Sequence, residues 1–428
     1  MSGIFILAAL LSAAAILLLI FNPKTGVLFL FPAMGVVDAT WDIRFGGFSL
    51  IQLLSAAVAG IVYMQVCADQ RLPKWWQRIA LLFLLCNSAG ALWGMLNGNA
   101  SPKGLLESFL RALNVYISFF MLPLFFDTRE KFKMLLYAIL IAAFFPLCVQ
   151  FFQISVGTDF GHLRQTRGLM RMVGLYHDAV TNKIFFTQAL GAGVLLLGAK
   201  LEENVLRRWL IFGYMLVILC GIYFIFSKSA VAILLLWSIG LASFGKKLHW
   251  LLWGALFALI FDAFSEQSVW GNIYKIFERD IAVQQGEMDS QYALSGRGVV
   301  WANWLDYFWS EGGTFDRLLG YGEIVSAHNE WLRIMIFGGF ISLMLTILMQ
   351  IVVFFKILNA MLSKGTFCMV FAMLLFLTYL LDCIGIVPGL YPQYNWYLWG
   401  ILGCILFNRS IFENQKEPDD VRRTDSSN

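Results

Sequence analysis

Leu318-Leu319-Gly320-Tyr321-Gly322, followed by Ala327-His328-Asn329-Glu330-Trp331-Leu332, places one histidine where a long polar segment gives way to a strongly apolar one. Earlier in the same polar segment stand Ser295-Gly296-Arg297-Gly298 and then Trp301. A histidine and a glycine-flanked arginine at the edge of an apolar helix suggest chemistry on a phosphorylated substrate. An imidazole exchanges its proton near neutral pH, and a guanidinium fork matches phosphate oxygens.

Working outward, the 428-residue chain is 59% hydrophobic and 14% charged. Soluble domains carry about a quarter charged residues, so the composition reads as an all-α polytopic membrane protein. Apolar runs of about twenty residues, the length that crosses a bilayer as a helix, fall at 3–21, 26–37, 49–68, 79–97, 105–126, 134–156, 182–199, 209–226, 229–245, 249–264, 329–355, 367–386 and 395–411. The second is short and reads either as a span or as a half-helix paired with the first, giving twelve or thirteen spans. Ile4–Phe21 lacks a basic leader and a small-residue cleavage site, so it is expected to be a retained helix.

The formal net charge of +4 matters less than where the charges lie. Arg71, Lys74 and Arg78, then Arg129, Lys131 and Lys133, then Lys200, Arg207 and Arg208, occupy alternate loops. Lys246, Lys247, Lys356, Lys364 and the tail arginines Arg409, Arg422 and Arg423 continue the alternation. Basic loops stay in the cytoplasm, which puts 157–181 and 266–327 on the opposite side. The chain divides into helices over 1–265 (interrupted by loop 157–181), a large extracytoplasmic loop 266–327, terminal helices 328–411 and a disordered cytoplasmic tail 412–428. The seven cysteines all lie in or beside apolar runs, so no disulfide framework is expected.

Loop 157–181 carries Arg164, Arg167 and Arg171 on the side that normally holds few basic residues. The functional reading is an anion site; the structural one is headgroup contact or pairing with the second loop. That second loop has nine acidic residues, mostly a solvated face, and an amphipathic stretch through Val300, Trp301, Trp304, Leu305 and Phe308. His177 is a second candidate base, while His162 and His249 look incidental. Arg111, Lys183, Arg333 and Asp382 lie within apolar runs, where charge marks function by default, although Glu107 four residues before Arg111 offers a structural pair. Neither large loop has metal-ligand spacing, and no glycine-rich phosphate loop appears.

These residues together resemble the bacterial O-antigen ligase and O-antigen (polysaccharide) polymerase superfamily. The resemblance rests on Ser295-Gly296-Arg297 with Trp301, Gly320-x-Gly322, His328-Asn329 with Gly339, Arg171-x-x-Gly174 with Asn182, and the Ser227-Lys228-Ser229 turn. It implies a GT-C-like architecture with a long helical extracytoplasmic loop before the last two or three spans. It also implies a glycosyltransferase in the bacterial inner membrane, acting at the periplasmic face in lipopolysaccharide or exopolysaccharide biosynthesis. The donor would be a glycan on undecaprenyl diphosphate, the acceptor a glycan or lipid A-core, with inversion and neither metal nor nucleotide cofactor. His328, Arg297 and Arg171 would be catalytic; Arg164, Arg167, His177, Asn182, Asn329 and Arg333 would contact substrate. Membrane lipids, a chain-length regulator and a flippase are the expected partners, and nucleic acid is not. Ser342 stands where the ligase pattern has Gly, Thr or Tyr, and the polymerase spacing of arginine to glycine is absent, so ligase and polymerase stay open. The alternative from another class is a secondary transporter or lipid-linked-sugar flippase.

Overall fold

Apolar helices dominate because backbone N–H and C=O groups must be satisfied within each segment when water is excluded. The computed structural model describes residues 2–157, 160–161, 163–166, 168–245, 249, 254, 256, 258–260, 262–263, 268–322, 325, 327–408 and 411–412, with the backbone alone at 2, 163–166, 290, 293 and 295. The expected span 249–264 and the tail from residue 413 lie largely outside these residues.

Helices α1 (Ser2–Phe21) and α2 (Pro23–Asp38) are two separate elements forming an antiparallel pair. Asn22 separates them, its side chain accepting from the Thr25 amide at 3.3 Å, with Pro23 at the first helical position. A short hairpin, β1 (Arg44–Phe45) with β2 (Phe48–Ser49), leads into α3 (Leu50–Val66). Then come α4 (Lys74–Leu96), α5 (Pro102–Ser118), α6 (Met121–Phe125), α7 (Arg129–Ala142) and α8 (Phe144–Val156). The expected span 105–126 is interrupted at Phe119–Phe120. There the Trp76 indole donates to the Phe119 carbonyl at 2.8 Å, and the Phe119 ring stacks on Trp399 at 4.6 Å.

A second hairpin, β3 (Leu163–Thr166) with β4 (Leu169–Met172), is followed by α9 (Ala179–Gly198), α10 (Val205–Phe224) and α11 (Lys228–Ser243). The two hairpins correct the all-helical expectation locally; both are too short to show the apolar alternation from which strands are read. Beyond them lie α12 (Val269–Gln284), a 3-10 turn at Ser290–Gly296, α13 (Arg297–Ser310), α14 (Thr314–Leu319), α15 (Glu330–Lys364), α16 (Phe367–Gly385) and α17 (Pro392–Phe407).

Among the described residues, seven helical segments are long and apolar enough to cross a membrane, and α3 and α11 are shorter apolar helices. The most enclosed is α9, apolar or small around nearly its whole circumference, as a central helix must be. Other helices expose apolar residues instead. Leu10 and Leu17 on α1, Leu85 and Leu92 on α4, Leu206 and Leu210 on α10, and Met344 and Leu348 on α15 are all open at the outer surface. Such a surface suits lipid, not water.

Side-chain contacts sort the connecting segments into two ends. One holds Arg71 with Asp69 and Asp127, Lys131 with Asp127, and Lys133 with Glu202. Arg129 donates there to the Lys200 carbonyl at 2.8 Å. The other joins Asn97 to Asp316, Trp41 to His177, Arg171 to the Phe226 carbonyl and Lys228 to Asp280. The basic segments around Arg71, Arg129 and Lys200, which fall on alternate loops in the sequence, meet at the first of these ends.

The apolar run at 329–355 is not one straight helix. At Gly339 the backbone turns to φ 70, ψ −173, inside the longest helical stretch. The Trp331 indole donates to Gln350 Oε1 at 3.0 Å across a sequence separation of 19. A straight helix would hold those positions about 28 Å apart. The chain therefore doubles back at Gly339, and the buried segment Glu330–Gly338 lies alongside the first turns of Phe340–Lys364.

The reversal leaves helical carbonyls without intrahelical partners, and the segment ahead of His328 supplies them. The Tyr321 amide donates to the Ile336 carbonyl at 2.7 Å and the Gly322 amide to that of Phe337 at 2.9 Å. This requires close backbone approach to α4. A Cβ at Gly322 would fall 2.5 Å from the Gly90 carbonyl oxygen, and one at Gly339 2.2 Å from that of Leu318. Both glycines have positive φ as well.

Candidate active site

His328 sits between two fixed points. Just before it, the Ala327 carbonyl accepts from the Trp301 indole at 2.8 Å. Just after it, Asn329 caps the re-entrant segment, its side chain accepting from the Leu332 amide at 3.0 Å. His328 itself has φ 49, the left-handed region that a non-glycine residue enters at a cost. The anchored neighbours hold it there, and the residue is partly open to solvent.

Arg297 and Trp301 are one helical turn apart on α13 and so share a face. While Trp301 holds the loop, Arg297 lies over the end of α16: a Cβ on Gly385 would be 3.5 Å from Arg297 Nη1 and 4.0 Å from Ser229 Cβ. A helix C-terminus favours a cation. Among the described residues no carboxylate lies within ion-pair distance of this guanidinium, which keeps it available to an anion; Asp280 supports its charge from farther away.

The His328 imidazole is held below its ordinary pKa. Protein packed against the ring disfavours the charged form, the Arg297 guanidinium adds to this, and the Asp178 carboxylate opposes it. The neutral ring is therefore the resting form near pH 7. Asp178 was not among the site residues expected from the sequence; its charge acts on the His328 ring from a distance. Its one signal was capping, which the structure shows: Oδ1 accepts from the Val180 and Thr181 amides at 2.9 and 3.1 Å.

The Ser227-Lys228-Ser229 turn ties the remaining elements to this centre. Arg171 Nη2 donates to the Phe226 carbonyl at 3.0 Å, Lys228 pairs with Asp280, and Ser229 Oγ accepts from Lys183 Nζ at 3.2 Å. Lys183 in turn pairs with Asp382 at 2.5 Å, both side chains 1% exposed. Arg164 stands opposite Arg171 in the β3–β4 register. Arg167 and His162 lie outside the described residues.

Other predicted site residues are placed differently. His177 is exposed, packed edge-on against Trp41 at 4.3 Å and 3.5 Å from Asp178. Asn182 is fully buried and donates to the Val173 carbonyl at 3.2 Å, which closes the turn ahead of α9. Arg333 is buried with Glu330 at 2.8 Å and reaches Asn87 at 3.3 Å. The structure thus gathers His328, Arg297 and the turn that receives Arg171, while Asn182 and Arg333 carry internal bonds. Glu107 and Arg111 form the expected pair at 3.6 Å.

Chemically, a neutral imidazole beside a fixed guanidinium can take a proton from a hydroxyl while the cation stabilises negative charge nearby. No protein-family model matches the chain, and no curated protein matches its sequence.

Proposed function

We propose that this chain is a membrane glycosyltransferase of the O-antigen ligase or polymerase type, with twelve or thirteen spans and the His328 end facing the periplasm. The observation that carries the reading is the α13 face on which Trp301 fixes the His328 loop and Arg297 sets a cation beside the imidazole. His328 takes the proton from an acceptor sugar hydroxyl as that oxygen attacks the anomeric carbon of a glycan on undecaprenyl diphosphate. The bond to the lipid diphosphate breaks, and Arg297, with Arg171 from the adjoining hairpin, stabilises the departing charge. Asp178 supports the imidazolium formed in that step.

The test is transfer by the purified protein in nanodiscs, from a lipid-diphosphate-linked glycan to a saccharide acceptor. His328→Ala and Arg297→Ala run alongside after a folding check. Product from the wild type and a loss of at least about a hundredfold in both variants support the reading; unchanged rates in both remove the site assignment. The buried Lys183–Asp382 pair favours a second reading, transport of a lipid-linked sugar, since enclosed charge in a membrane marks ion pathways. Under that reading His328→Ala is tolerated and Lys183→Ala abolishes flux.

A further inference from the structure

Beside the Arg297–Trp301 row, α13 carries a second row: Val300, Trp304 and Tyr307, with Glu311 at its end. Spaced three and four residues apart, they share one face. This row borders two open hollows that meet at Tyr307. One, of about 480 Å³, lies against Val300, Asn303, Trp304 and Tyr307. The other, of about 610 Å³, runs from Tyr307 past Phe315 and Asp316 to Trp93 and Asn99, at the end of α4. Each has the size of a small-molecule site, about 300–1,000 Å³, and together they form one groove.

Its floor is aromatic. The Trp304 ring meets Tyr307 edge-on at 5.7 Å, and Tyr307 lies 5.0 Å from the buried Tyr321 ring. Trp93 lies 6.1 Å from Phe315. Trp93, Trp304 and Tyr307 are half-buried and Phe315 is exposed, so each keeps part of its surface open. Asp316 fixes one wall: Oδ1 accepts from the Trp93 indole at 3.2 Å and from Asn97 Nδ2 at 2.8 Å, and Oδ2 accepts from the Gly313 amide at 3.1 Å. Asn99, Asn303, Glu311 and Thr314 are exposed along the rim. Their amides, carboxylate and hydroxyl offer donors and acceptors side by side.

Rings interleaved with such groups select a ligand class. A saccharide presents apolar C–H faces to rings, and hydroxyls that donate and accept to the polar groups between them. An acyl chain or an apolar helix would cover the amides and carboxylates without bonding them, at a cost. Among the described residues no Lys or Arg lines either hollow, whereas Glu311 and Asp316 do, which disfavours an anionic chain. A single ammonium group would occupy only a small part of the length.

We infer that this groove binds an uncharged oligosaccharide, with successive sugars lying along α13. Trp304 and Tyr307 pack on the cluster that holds Ala327 and Leu332, so the bound chain runs beside the segment that carries His328. The groove is lined by neither His328 nor Arg297, and the inference does not rest on the transfer reaction.

Titration of the full chain in nanodiscs, read by saturation-transfer NMR, tests this without turnover. The probes are maltohexaose, chitotetraose, hexagalacturonate and choline. Wild type and His328→Ala are expected to bind at least one of the two neutral saccharides equally well, and hexagalacturonate and choline at least about tenfold more weakly. Trp304→Ala removes a ring and should weaken the neutral saccharide about tenfold. Asn99→Ala, on the exposed turn after α4, should weaken it about threefold or more. Should Trp304→Ala fail to fold, Asn99→Ala decides. No neutral saccharide bound at millimolar concentration, or equal binding by both variants, would overturn the inference. Hexagalacturonate held as tightly would refute the charge argument, and choline held as tightly would make the rings a cation site instead. Binding lost in His328→Ala would place the saccharide at the imidazole and not on α13.

Discussion

Gly339→Ala probes the reversal that sets His328 at its depth in the bundle. With φ 70 and ψ −173 the backbone occupies a region open almost only to glycine, which costs another residue roughly 1–3 kcal/mol. The added Cβ meets the Leu318 carbonyl carbon at 2.3 Å and its oxygen at 2.2 Å. Neither is a side-chain end that can swing away, so an overpacking cost of about 1–3 kcal/mol is added. The sum, about 2–6 kcal/mol, lowers the midpoint of thermal inactivation in detergent by on the order of 5–10 °C. Gly60→Ala is the internal control: nothing lies within 4 Å of its Cβ, and it sits inside α3, so it is expected to be neutral or to stabilise by up to about 1 kcal/mol. A Trp331→Cys, Gln350→Cys protein treated with a short bifunctional thiol reagent checks the geometry itself. Doubled back, the pair cross-links; in a straight helix it does not. Gly339→Ala melting with Gly60→Ala, together with no cross-link, would refute the reversal.

Three further outcomes follow from the site. Transfer should lose rate as pH falls through the lowered His328 pKa, because only the neutral ring accepts a proton; Arg297→Gln, removing a charge that lowers that pKa, moves this acid limb to higher pH, whereas Asp178→Asn moves it lower, and identical limbs in rate profiles of all three proteins would remove His328 as the base. Lys183→Met leaves Asp382 buried without its cation, costing about 3–5 kcal/mol, and Lys183→Met with Asp382→Leu restores much of the lost thermal stability; a double variant no more stable than the single would contradict the pairing. Trp301→Phe removes only the indole donation to Ala327, about 1 kcal/mol, so turnover should fall while the melting midpoint changes by little, and an unaltered rate would mean that Trp301 does not position His328.

The sequence was most informative where a single physical requirement acts. Apolar length marks helices, and the spacing of Lys and Arg grouped the segments around Arg71, Arg129 and Lys200, which meet in the structure. It was least informative where backbone direction decides. Glu330 to Lys364 is apolar enough to read as one span, and nothing in hydropathy distinguishes a straight helix from one that reverses at Gly339. The signal was present but ambiguous. A Gly338-Gly339 pair is equally compatible with close helix contact, and only the pairing of the Tyr321 and Gly322 amides with the Ile336 and Phe337 carbonyls, with Trp331 bonded to Gln350, shows that the chain turns. The electrostatic influence of Asp178 on His328 is not legible locally, because an aspartate ahead of an apolar helix is fully accounted for as a cap.

The same geometry changes how the glycine motif should be understood. Gly320-x-Gly322 and Gly339 lie near the candidate histidine in sequence but are not ligand-approach glycines. In the fold a Cβ on each would strike backbone: Gly320 that of Phe337, Gly322 that of Gly90 and Gly94, and Gly339 that of Leu318. None has room for a substrate on that side. Their contribution to chemistry is positional. They let the 318–322 segment cross α4 and bond the reversed helix, which fixes both ends of the short path to His328. A site built this way separates duties between residues: Arg297 and His328 present charge and a proton acceptor, and glycines and Trp301 hold them without touching a ligand. Alanine at Gly320 or Gly322 should therefore depress activity and stability together, whereas alanine at Arg297, which makes no ion pair among the described residues, should depress activity with stability nearly unchanged. That contrast is the sign by which positioning and chemistry are told apart here.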